Sequence, residues 1–228
     1  SDAPDIGAKT KIRVRAIADE LGYRPNRAGL RLRTGKTNVI TLILCTDHDV
    51  MNHTANLINA VASALRGTAY HLIVTPYFPD ESPLDPVQYV VETGSADGVI
   101  LNRTQPNDPR IEYLKRHNFP FALHGRTETC DDAPYLDFDN SVFGARCMES
   151  FCERGRKNVL IIAPPLDQNY AQNLVNGATS MGAQLGMRTT ILPKVSSDSP
   201  AAEISVELTS FLSAHPEIDA VISASAPV

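Results

Sequence analysis

The sequence lacks the features by which membrane-spanning, secreted and metal-binding chains are recognised. No stretch of the 228 residues approaches about eighteen consecutive apolar residues, so no membrane span is predicted. The N-terminus shows no charged segment followed by an apolar one, which argues against secretion, although a processed chain would look the same. The four cysteines have no metal-ligand spacing such as Cys-x-x-Cys. We expect free, mostly buried thiols in a cytoplasmic protein.

Motifs of the common enzyme classes are also missing. The first predicted strand is followed by Cys45-Thr46-Asp47-His48-Asp49, which contains no glycine and is not a phosphate-binding loop. There is no Gly-x-Ser-x-Gly nucleophile elbow and no His-Glu-x-x-His zinc motif. The six histidines are scattered along the chain. We therefore predict no catalytic residue, no cofactor and no metal site.

Acidic and basic residues are unevenly divided along a chain whose formal net charge is −5. Residues 1–36 contain nine Lys and Arg against four Asp and Glu, a net +5, and the other 192 residues contain twelve against twenty-two, a net −10. A small basic segment on an acidic body indicates that one end of the chain meets a polyanion. A solvated basic helix face would give the same pattern, so charge alone leaves both interpretations open.

Two helices are predicted in the basic segment. The first covers residues 10–21, where apolar residues recur at helical spacing, and it stops at Gly22. The second is short, from Asn26 to Arg33, and contains Gly29, which costs roughly 1 kcal/mol relative to alanine. So short a helix is marginal alone in water. We predict that residues 26–33 are stably helical only with a partner.

From Val39 onward, short apolar runs alternate with helical patterns. This alternation is typical of an α/β domain in which helices cover both faces of a parallel sheet. Strands are predicted at 39–44, 71–75, 98–101, 121–123, 135–138, 159–162, 191–192 and 220–222, and helices at 54–65, 86–92, 110–117, 141–153, 171–185 and 201–214. Ligands of such sheets bind beyond the carboxyl ends of the strands, so the residues directly after each strand are candidate binding residues.

The basic segment resembles a known DNA-binding headpiece. Its matching positions are Lys9, Thr10, Val14, Leu21, Tyr23, Pro25 and Asn26. They are similar to the end of the headpiece of lactose-repressor (LacI/GalR) type transcriptional regulators. Three further motifs of that family follow: Ala96-Asp97-Gly98-Val99-Ile100-Leu101, Asp139-Asn140, and Glu153-Arg154-Gly155-Arg156-Lys157-Asn158-Val159. The resemblance covers essentially the whole chain.

The resemblance implies a type I periplasmic-binding-protein-like α/β fold with parallel sheets in two subdomains, the second incomplete. A remnant of a helix-turn-helix headpiece and a hinge helix would precede them. We assign residues 1–36 to the headpiece end and hinge, 37–156 to an N-subdomain with a six-stranded sheet, and 157–228 to a partial C-subdomain. Family members begin with two further helices and continue past the position of Val228, so we expect truncation at both ends.

The implied function is that of a sequence-specific transcriptional regulator of the repressor kind, controlled by a small-molecule effector such as a sugar or sugar derivative. In the family, paired hinge helices enter the minor groove of operator DNA and insert a leucine between base pairs. The DNA-binding residues implied here are Tyr23, Asn26, Arg27, Leu32 as the inserted leucine, and Arg33. A core leucine and a solvated basic face are the alternatives for Leu32 and Arg33. The alternative function is a solute-binding protein of the same fold serving a transporter.

The effector would lie between the two subdomains. The residues that the resemblance places there are Asp47, His53, Asn102, Asp139, Gln168 and Tyr170. Carboxylate, amide and phenol groups are suitable partners for sugar hydroxyls. His53 has the alternative of a loop histidine, and Asp139 that of capping the helix that begins near Ser141.

Three positions depart from the pattern of the sugar-binding members. Leu174 stands where they have an arginine, Gly125 where they have the aspartate of an Asp-Arg pair, and Ala226 where they have an aspartate. These departures argue against a plain hexose. A different polyol, a phosphorylated compound, an aromatic compound and no effector at all remain open.

A homodimer is implied because two hinges must enter one minor groove. The resemblance places the contact on the helices predicted at 54–65 and 86–92. In the first helix, Ala62 and Ser63 lie on a side without charge, which is typical of a close contact between helices. Burial of that helix within one chain is the alternative.

Overall fold

The structure is a computed structural model, and it describes residues 6–23, 27–46, 51–128 and 132–224; for residues 27, 28, 30 and 51–53 it describes only the backbone. The chain divides into two compact units at Thr37 and Asn38. The first unit contains two helices, α1 (Ala8–Glu20) and α2 (Arg27–Thr34), at the predicted places. All of α1 is described, and none of its residues is buried.

The second unit begins with a parallel sheet. Its strands are β1 (Val39–Cys45), β2 (His71–Tyr77), β3 (Gly98–Asn102), β4 (Phe121–His124) and β5 (Tyr135–Leu136), in the order β2-β1-β3-β4-β5. The prediction of six strands in this region is therefore wrong for the described residues. The region holds five apolar runs with strand character, and the intervening segments form helices.

Three helices connect these strands: α3 (Met51–Ala64), α4 (Asp85–Thr93) and α5 (Pro109–Arg116). We call this sheet with its helices the first layer. Its core is formed by residues from β1, β3, α4 and α5, and Ile43, Leu101, Val87 and Leu114 are inaccessible to solvent. The N-terminus of α5 is fixed locally, because the Asp108 carboxylate accepts a hydrogen bond from the amide of Arg110 at 3.0 Å.

A second layer follows with α6 (Asn140–Glu153), β6 (Asn158–Ile162), α7 (Asn169–Gln184), β7 (Arg188–Ile191), α8 (Ala201–Ala214) and β8 (Ala220–Ser223). Its described strands form a parallel sheet in the order β7-β6-β8. The α/β fold with two parallel sheets that the sequence predicts is confirmed. Strand β7 lies earlier than the predicted run at 191–192, because its polar residues Thr189 and Thr190 gave no apolar signal.

Helices α6 and α7 pack with their backbones in close contact. A Cβ atom on Gly177 of α7 would lie 2.0 Å from the carbonyl oxygen of Ser141, and one on Gly144 of α6 would lie 2.3 Å from that of Leu174. The core behind them joins Met148 of α6 to Leu174 and Ala178 of α7 and to residues of β6. Helix α6 thus packs with α7 and β6 of the second layer, whereas the predicted domain bounds assigned its residues to the N-subdomain.

Candidate functional site

The strand order of the first sheet reverses around β1. The chain runs from β1 to β2 on one side of β1 and returns to β3 on the other, and parallel sheets bind ligands at such a reversal of strand order. Asn102, a predicted effector residue, ends β3 at this place and is 7% exposed. Asp47 and the side chain of His53, which were predicted to join it, lie outside the described residues.

A buried arginine fixes the turn that follows β3. Arg110 is 1% exposed, and its Nη2 donates to the carbonyl oxygens of Asn102 at 3.2 Å and Arg103 at 3.1 Å. The Asp108 carboxylate accepts from Arg110 Nε at 2.9 Å and from Nη2 at 2.6 Å. Burial opposes the charge of Arg110, but the hydrogen bonds to Asp108 and the charge of that carboxylate raise the pKa of Arg110 above its ordinary value. The hydrogen bonds of Arg110 therefore hold the backbone on which the site is built.

Backbone and side-chain hydrogen bonds join the start of α7 to the ends of β3 and β4. The amide of Asn169 donates to the carbonyl oxygen of Thr104 at 2.8 Å. Both the Asn169 Nδ2 and the Thr104 hydroxyl donate to the carbonyl oxygen of Arg126, each at 2.8 Å. Asn169 is 2% exposed and Thr104 is also buried. These bonds bring the second layer against the carboxyl edge of the first sheet.

An ion pair makes a second connection between the layers. The guanidinium of Arg103, in the turn after β3, contacts the carboxylate of Asp198, in the loop after β7. Asp198 is held in turn by its own loop, since the Ser197 hydroxyl donates to Asp198 Oδ1 at 3.2 Å and the Ser196 hydroxyl accepts from the Asp198 amide. The loop is anchored because the Ser197 amide donates to the carbonyl oxygen of Ala163, just after β6, at 2.8 Å.

Two carboxylates accompany Arg126 at the ends of β4 and β5. Arg126 Nε lies 3.3 Å from Asp137 Oδ2, and Nη2 lies 3.4 Å from Asp139 Oδ1. Asp139 caps α6, because its Oδ1 accepts from the Val142 amide at 3.0 Å, and its side chain is 54% exposed. The capping alternative for Asp139 is therefore the one that the structure supports.

Four buried oxygen atoms at this edge have no hydrogen-bond partner among the described residues. They are Asn102 Oδ1, Asp137 Oδ2, Gln168 Oε1 and Asn169 Oδ1. A buried acceptor left unpaired costs about 1–3 kcal/mol, and native proteins pair most such atoms. Asp137 Oδ2 is ion-paired with Arg126, whereas the three amide oxygens have no donor in the described part of the chain. Amide oxygens without donors, at an edge where parallel sheets bind ligands, suit a ligand that supplies the donors.

The structure thus brings together some predicted effector residues and adds others. Asn102 and Gln168 lie at this edge, and half-buried Tyr170 follows in the first turn of α7. Sequence reasoning missed Arg103, Arg126, Asp137, Asn169 and Asp198. Arg103 and Arg126 stand directly after or near strand ends and Asn169 stands next to Gln168, so position along the chain could have indicated these three.

The three positions that depart from the pattern of the sugar-binding members lie in different parts of the structure. Leu174 is 1% exposed in the core of the second layer and contributes no polar group. Gly125 has φ +112, and a Cβ there would lie 2.9 Å from Thr104 Oγ1, so a side chain at this position would be strained. Ala226 lies outside the described residues.

The predicted DNA-binding residues lie on the first unit. Leu32 is 91% exposed and Tyr23 is 66% exposed, so neither is a core residue, and Arg33 is exposed beside Leu32. Asn26 and the side chain of Arg27 lie outside the described residues. The structure therefore leaves Leu32 and Arg33 accessible to a partner.

Neither a metal-binding cluster nor a membrane-spanning helix is found among the described residues. No group of three or more His, Cys, Asp or Glu is arranged to hold a metal ion in that part of the chain. None of its helices combines the length and the apolar character needed to cross a bilayer.

Comparison with known proteins agrees with this architecture. The HTH-type transcriptional regulator RafR of Escherichia coli is 29% identical over 204 residues, which are 89% of this chain and 60% of RafR. A LacI family transcriptional regulator from Bifidobacterium animalis subsp. lactis has a similar structure, with a TM-score of 0.71 and 23% identity over 82% of this chain and 67% of that one. A CelR–cellobiose complex covers 97% of this chain and 66% of its own, with a TM-score of 0.64 and 23% identity.

The chain spans about three-fifths of the length of RafR. A family profile described as periplasmic binding proteins and sugar binding domain of the LacI family matches residues 38–228, which is the whole of the second unit. The chain therefore belongs to the family of periplasmic binding proteins and LacI-type sugar-binding domains.

Proposed function

We propose that the chain is part of a transcriptional regulator that binds operator DNA through its first unit and a sugar-like effector through its second. The observation that carries the effector half is the set of unpaired buried acceptors at the carboxyl edge of the first sheet. RafR and other relatives are named as transcriptional regulators, and the family profile is that of a sugar-binding domain. We infer a cytoplasmic, non-catalytic protein, as is usual for such regulators.

The DNA half rests on the charge and exposure of the hinge. Helix α2 carries Arg31 and Arg33 in its last turn and exposes Leu32. Basic side chains position a protein on the phosphate backbone, while an apolar side chain can enter the minor groove and unstack a base step. We propose these roles for Arg33 and Leu32, with Tyr23, Asn26 and Arg27 on the flanking phosphates.

The effector half rests on geometry at the ends of β3, β4 and β5. Asn102 and Gln168 supply unpaired amide oxygens, and Tyr170 is close in sequence to supply a flat face. Because the start of α7 and the loop containing Asp198 belong to the second layer, an effector at this edge contacts both layers. A ligand that contacts both layers stabilises the arrangement in which the two layers lie close together. We propose that this stabilisation is the means by which effector binding alters the hinge.

We further propose a homodimer formed through α3. None of residues 54–64 is buried in the single chain, although Leu57 and Val61 are apolar. The neighbouring strand β2 is also apolar and accessible, with Ile73 48% exposed, and Phe78 just beyond its end is 56% exposed. An apolar cavity of about 400 Å³ lies between them, lined by residues that include Thr54, Val74 and Phe78. An apolar surface of this kind is typical of an interface between chains.

The test compares Leu32→Ala with a matched exposed residue in the complete protein. Val206 of α8 is 72% exposed and far along the chain from the hinge, so Val206→Ala serves as the control. A preferred duplex is first selected from random sequences, and affinities are then measured by fluorescence anisotropy. We expect Leu32→Ala to weaken specific binding about tenfold or more, since insertion of an apolar wedge is lost. Val206→Ala should bind like the wild type.

Two results would contradict this function. Unchanged affinity for the selected duplex in Leu32→Ala would remove Leu32 from the interface. Failure of the complete protein to select any duplex, together with sugar binding, would favour the solute-binding alternative.

A further inference from the structure

We propose that Asp97 is a positioning residue for DNA binding, and that it acts by holding the backbone of Asn38, where the chain passes from the first unit to the second. This inference rests on the proposed function, in which the first unit binds operator DNA. It assigns a role in DNA binding to a residue of the second unit, which we place in contact with neither DNA nor the effector.

Asp97 binds the start of β1 through two hydrogen bonds, which we call the Asp97 contact. Its Oδ2 accepts from the amide of Asn38 at 2.9 Å, and its own amide donates to the carbonyl oxygen of Val39 at 2.8 Å. A third bond comes from β2, where the amide of His71 donates to the carbonyl oxygen of Asn38 at 2.9 Å. Both peptide groups of Asn38 are therefore held by residues of the second unit.

The conformation of Asn38 depends on such support. Asn38 has φ +55, in the left-handed region that most residues other than glycine avoid and that asparagine tolerates better than most. A left-handed residue interrupts an extended backbone, so the direction in which the chain enters β1 is set at Asn38. Loss of the bond from Asp97 would release the Asn38 amide and allow the extended conformations that are ordinary before a strand.

Asp97 itself lies on a short and firmly held connection. Gly94 ends α4, and the amide of Ser95 donates back into the last turn of that helix at 3.2 Å. Ala96 is 5% exposed in the core of the first layer, and β3 begins at Gly98. Asp97 is thus fixed between the end of a helix and a strand of the core, which suits a residue that positions another.

The Asp97 contact is close in the chain to the hinge helix. Helix α2 ends at Thr34, and residues 35–37 lead directly to Asn38. DNA binding requires a hinge that leaves the body in a competent direction, and the apparent affinity falls in proportion to the fraction of molecules that have it. In the proposed dimer both hinges must be competent, so a fall to about one third in each chain would weaken binding about tenfold.

The same arrangement occurs in the second layer, where the chain joins α6 to β6. Asp219 directly precedes β8 as Asp97 precedes β3, and its carboxylate accepts from the amides of Lys157 and Asn158, each at 2.9 Å. Its own amide donates to the carbonyl oxygen of Asn158 at 3.0 Å. Because residues 157 and 158 are far along the chain from α2, Asp219 is a matched control for the effect of such a contact on stability alone.

The experiment compares Asp97→Ala with Asp219→Ala in the complete protein. Each variant loses a carboxylate that accepts backbone hydrogen bonds, so each should lower the unfolding temperature by about 2–4 °C. Affinity for the duplex that the wild type selects is measured by fluorescence anisotropy. We expect Asp97→Ala to bind about tenfold more weakly, and Asp219→Ala to bind within about twofold of the wild type. The salt dependence of binding should not change in Asp97→Ala, because the phosphate contacts are kept.

Three further variants test whether the geometry of the Asp97 contact is what matters. Asp97→Asn keeps an acceptor oxygen and should bind within about twofold of the wild type. Asn38→Gly permits the left-handed conformation and should do the same, whereas Asn38→Val disfavours that conformation and should bind as weakly as Asp97→Ala. Combining Asn38→Val with Asp97→Ala should add no further loss of affinity, because both changes remove the same contact.

The outcomes separate the inference from the proposed function. Wild-type affinity in Asp97→Ala would overturn the inference and leave the regulator intact. Equal losses of affinity in Asp97→Ala and Asp219→Ala would also overturn it, since lost stability would explain both. If Asp97→Ala did not fold, equal affinities of Asn38→Val and Asn38→Gly would overturn the inference instead. Failure of the wild type to select any duplex would overturn both the inference and the proposed function.

Discussion

Arg103 and Asp198 form an ion pair across the two layers, although 95 residues separate them in the sequence. Their side chains are 14% and 8% exposed. Arg103 has φ +51, a conformation that is uncommon outside glycine, and its carbonyl oxygen is held by Arg110. The pair therefore links a tightly fixed turn of the first layer to the second layer beside the proposed effector site.

Removing one member of this pair should be more harmful than removing both. Arg103→Met leaves the Asp198 carboxylate largely buried without its cation, and we expect a loss of about 2–4 kcal/mol in the free energy of unfolding. The double variant Arg103→Met with Asp198→Leu should recover part of that loss. Urea denaturation of Arg103→Met, Asp198→Leu and the double variant measures their losses and the coupling between them. If the losses of the two single variants sum to the loss of the double variant, the ion pair contributes nothing to the contact between the layers.

An exposed pair supplies the control for that measurement. Arg146 and Glu149 of α6 lie 2.8 Å apart on the helix surface, where solvent screens their attraction. Replacing Arg146 with methionine should change the free energy of unfolding by less than about 0.5 kcal/mol.

A second prediction concerns the buried pair of Arg110 and Asp108. Arg110→Met should lower the free energy of unfolding by about 3–5 kcal/mol, since a buried carboxylate loses its partner. Arg110→Lys should not restore stability, because an ammonium group lacks the fork that bonds Asp108 and two carbonyl oxygens together. Urea denaturation and sugar-induced thermal shifts test both effects. If Arg110→Met showed the same sugar-induced thermal shift as the wild type, the turn after β3 would not need Arg110 to keep its conformation.

Much of the fold could be predicted from the sequence because its signals are local. Apolar runs marked β1, β3, β4 and β6, and Asp108 before Pro109 marks the start of α5. Strand β7 gave a weak signal because its residues are mostly polar. The sixth strand of the first sheet was expected from the alternation of strands and helices, and the described residues do not form it.

The candidate site could be predicted only in part. Asn102 was found because it ends a strand, and Gln168 because the resemblance placed it in the effector cleft. Asp198 and Arg110 could not be found in this way, since their roles depend on partners that only folding brings near. Asp139 satisfied the family pattern, yet its carboxylate caps α6. An aspartate at this position suits a helix cap and a ligand contact equally well, so the sequence alone could not distinguish the two roles.

A third prediction concerns the crossing of α6 and α7. In an ordinary helix, replacing glycine with alanine stabilises by about 1 kcal/mol. At Gly177 the added Cβ would lie 2.0 Å from a backbone oxygen, so we expect Gly177→Ala to destabilise by about 2–4 kcal/mol. Gly182→Ala on the same helix should cost much less, because its closest contact is the flexible end of Met148 at 2.9 Å. Equal unfolding midpoints in urea for the two variants would argue against a close crossing.

The last prediction concerns the dimer, on which the proposed DNA mechanism depends. Ala62 and Ser63 are exposed on α3, and Val61 beside them is only half-buried. If a second chain covers this face, two introduced carboxylates would be desolvated in the interface without partners. We expect Ala62→Glu with Ser63→Glu to shift the complete protein from dimer to monomer in light scattering and to weaken operator binding. The same two charges at Ser180 and Ala183, exposed on α7, should leave both unchanged. An unaltered dimer in the α3 variant would place the interface elsewhere on the chain.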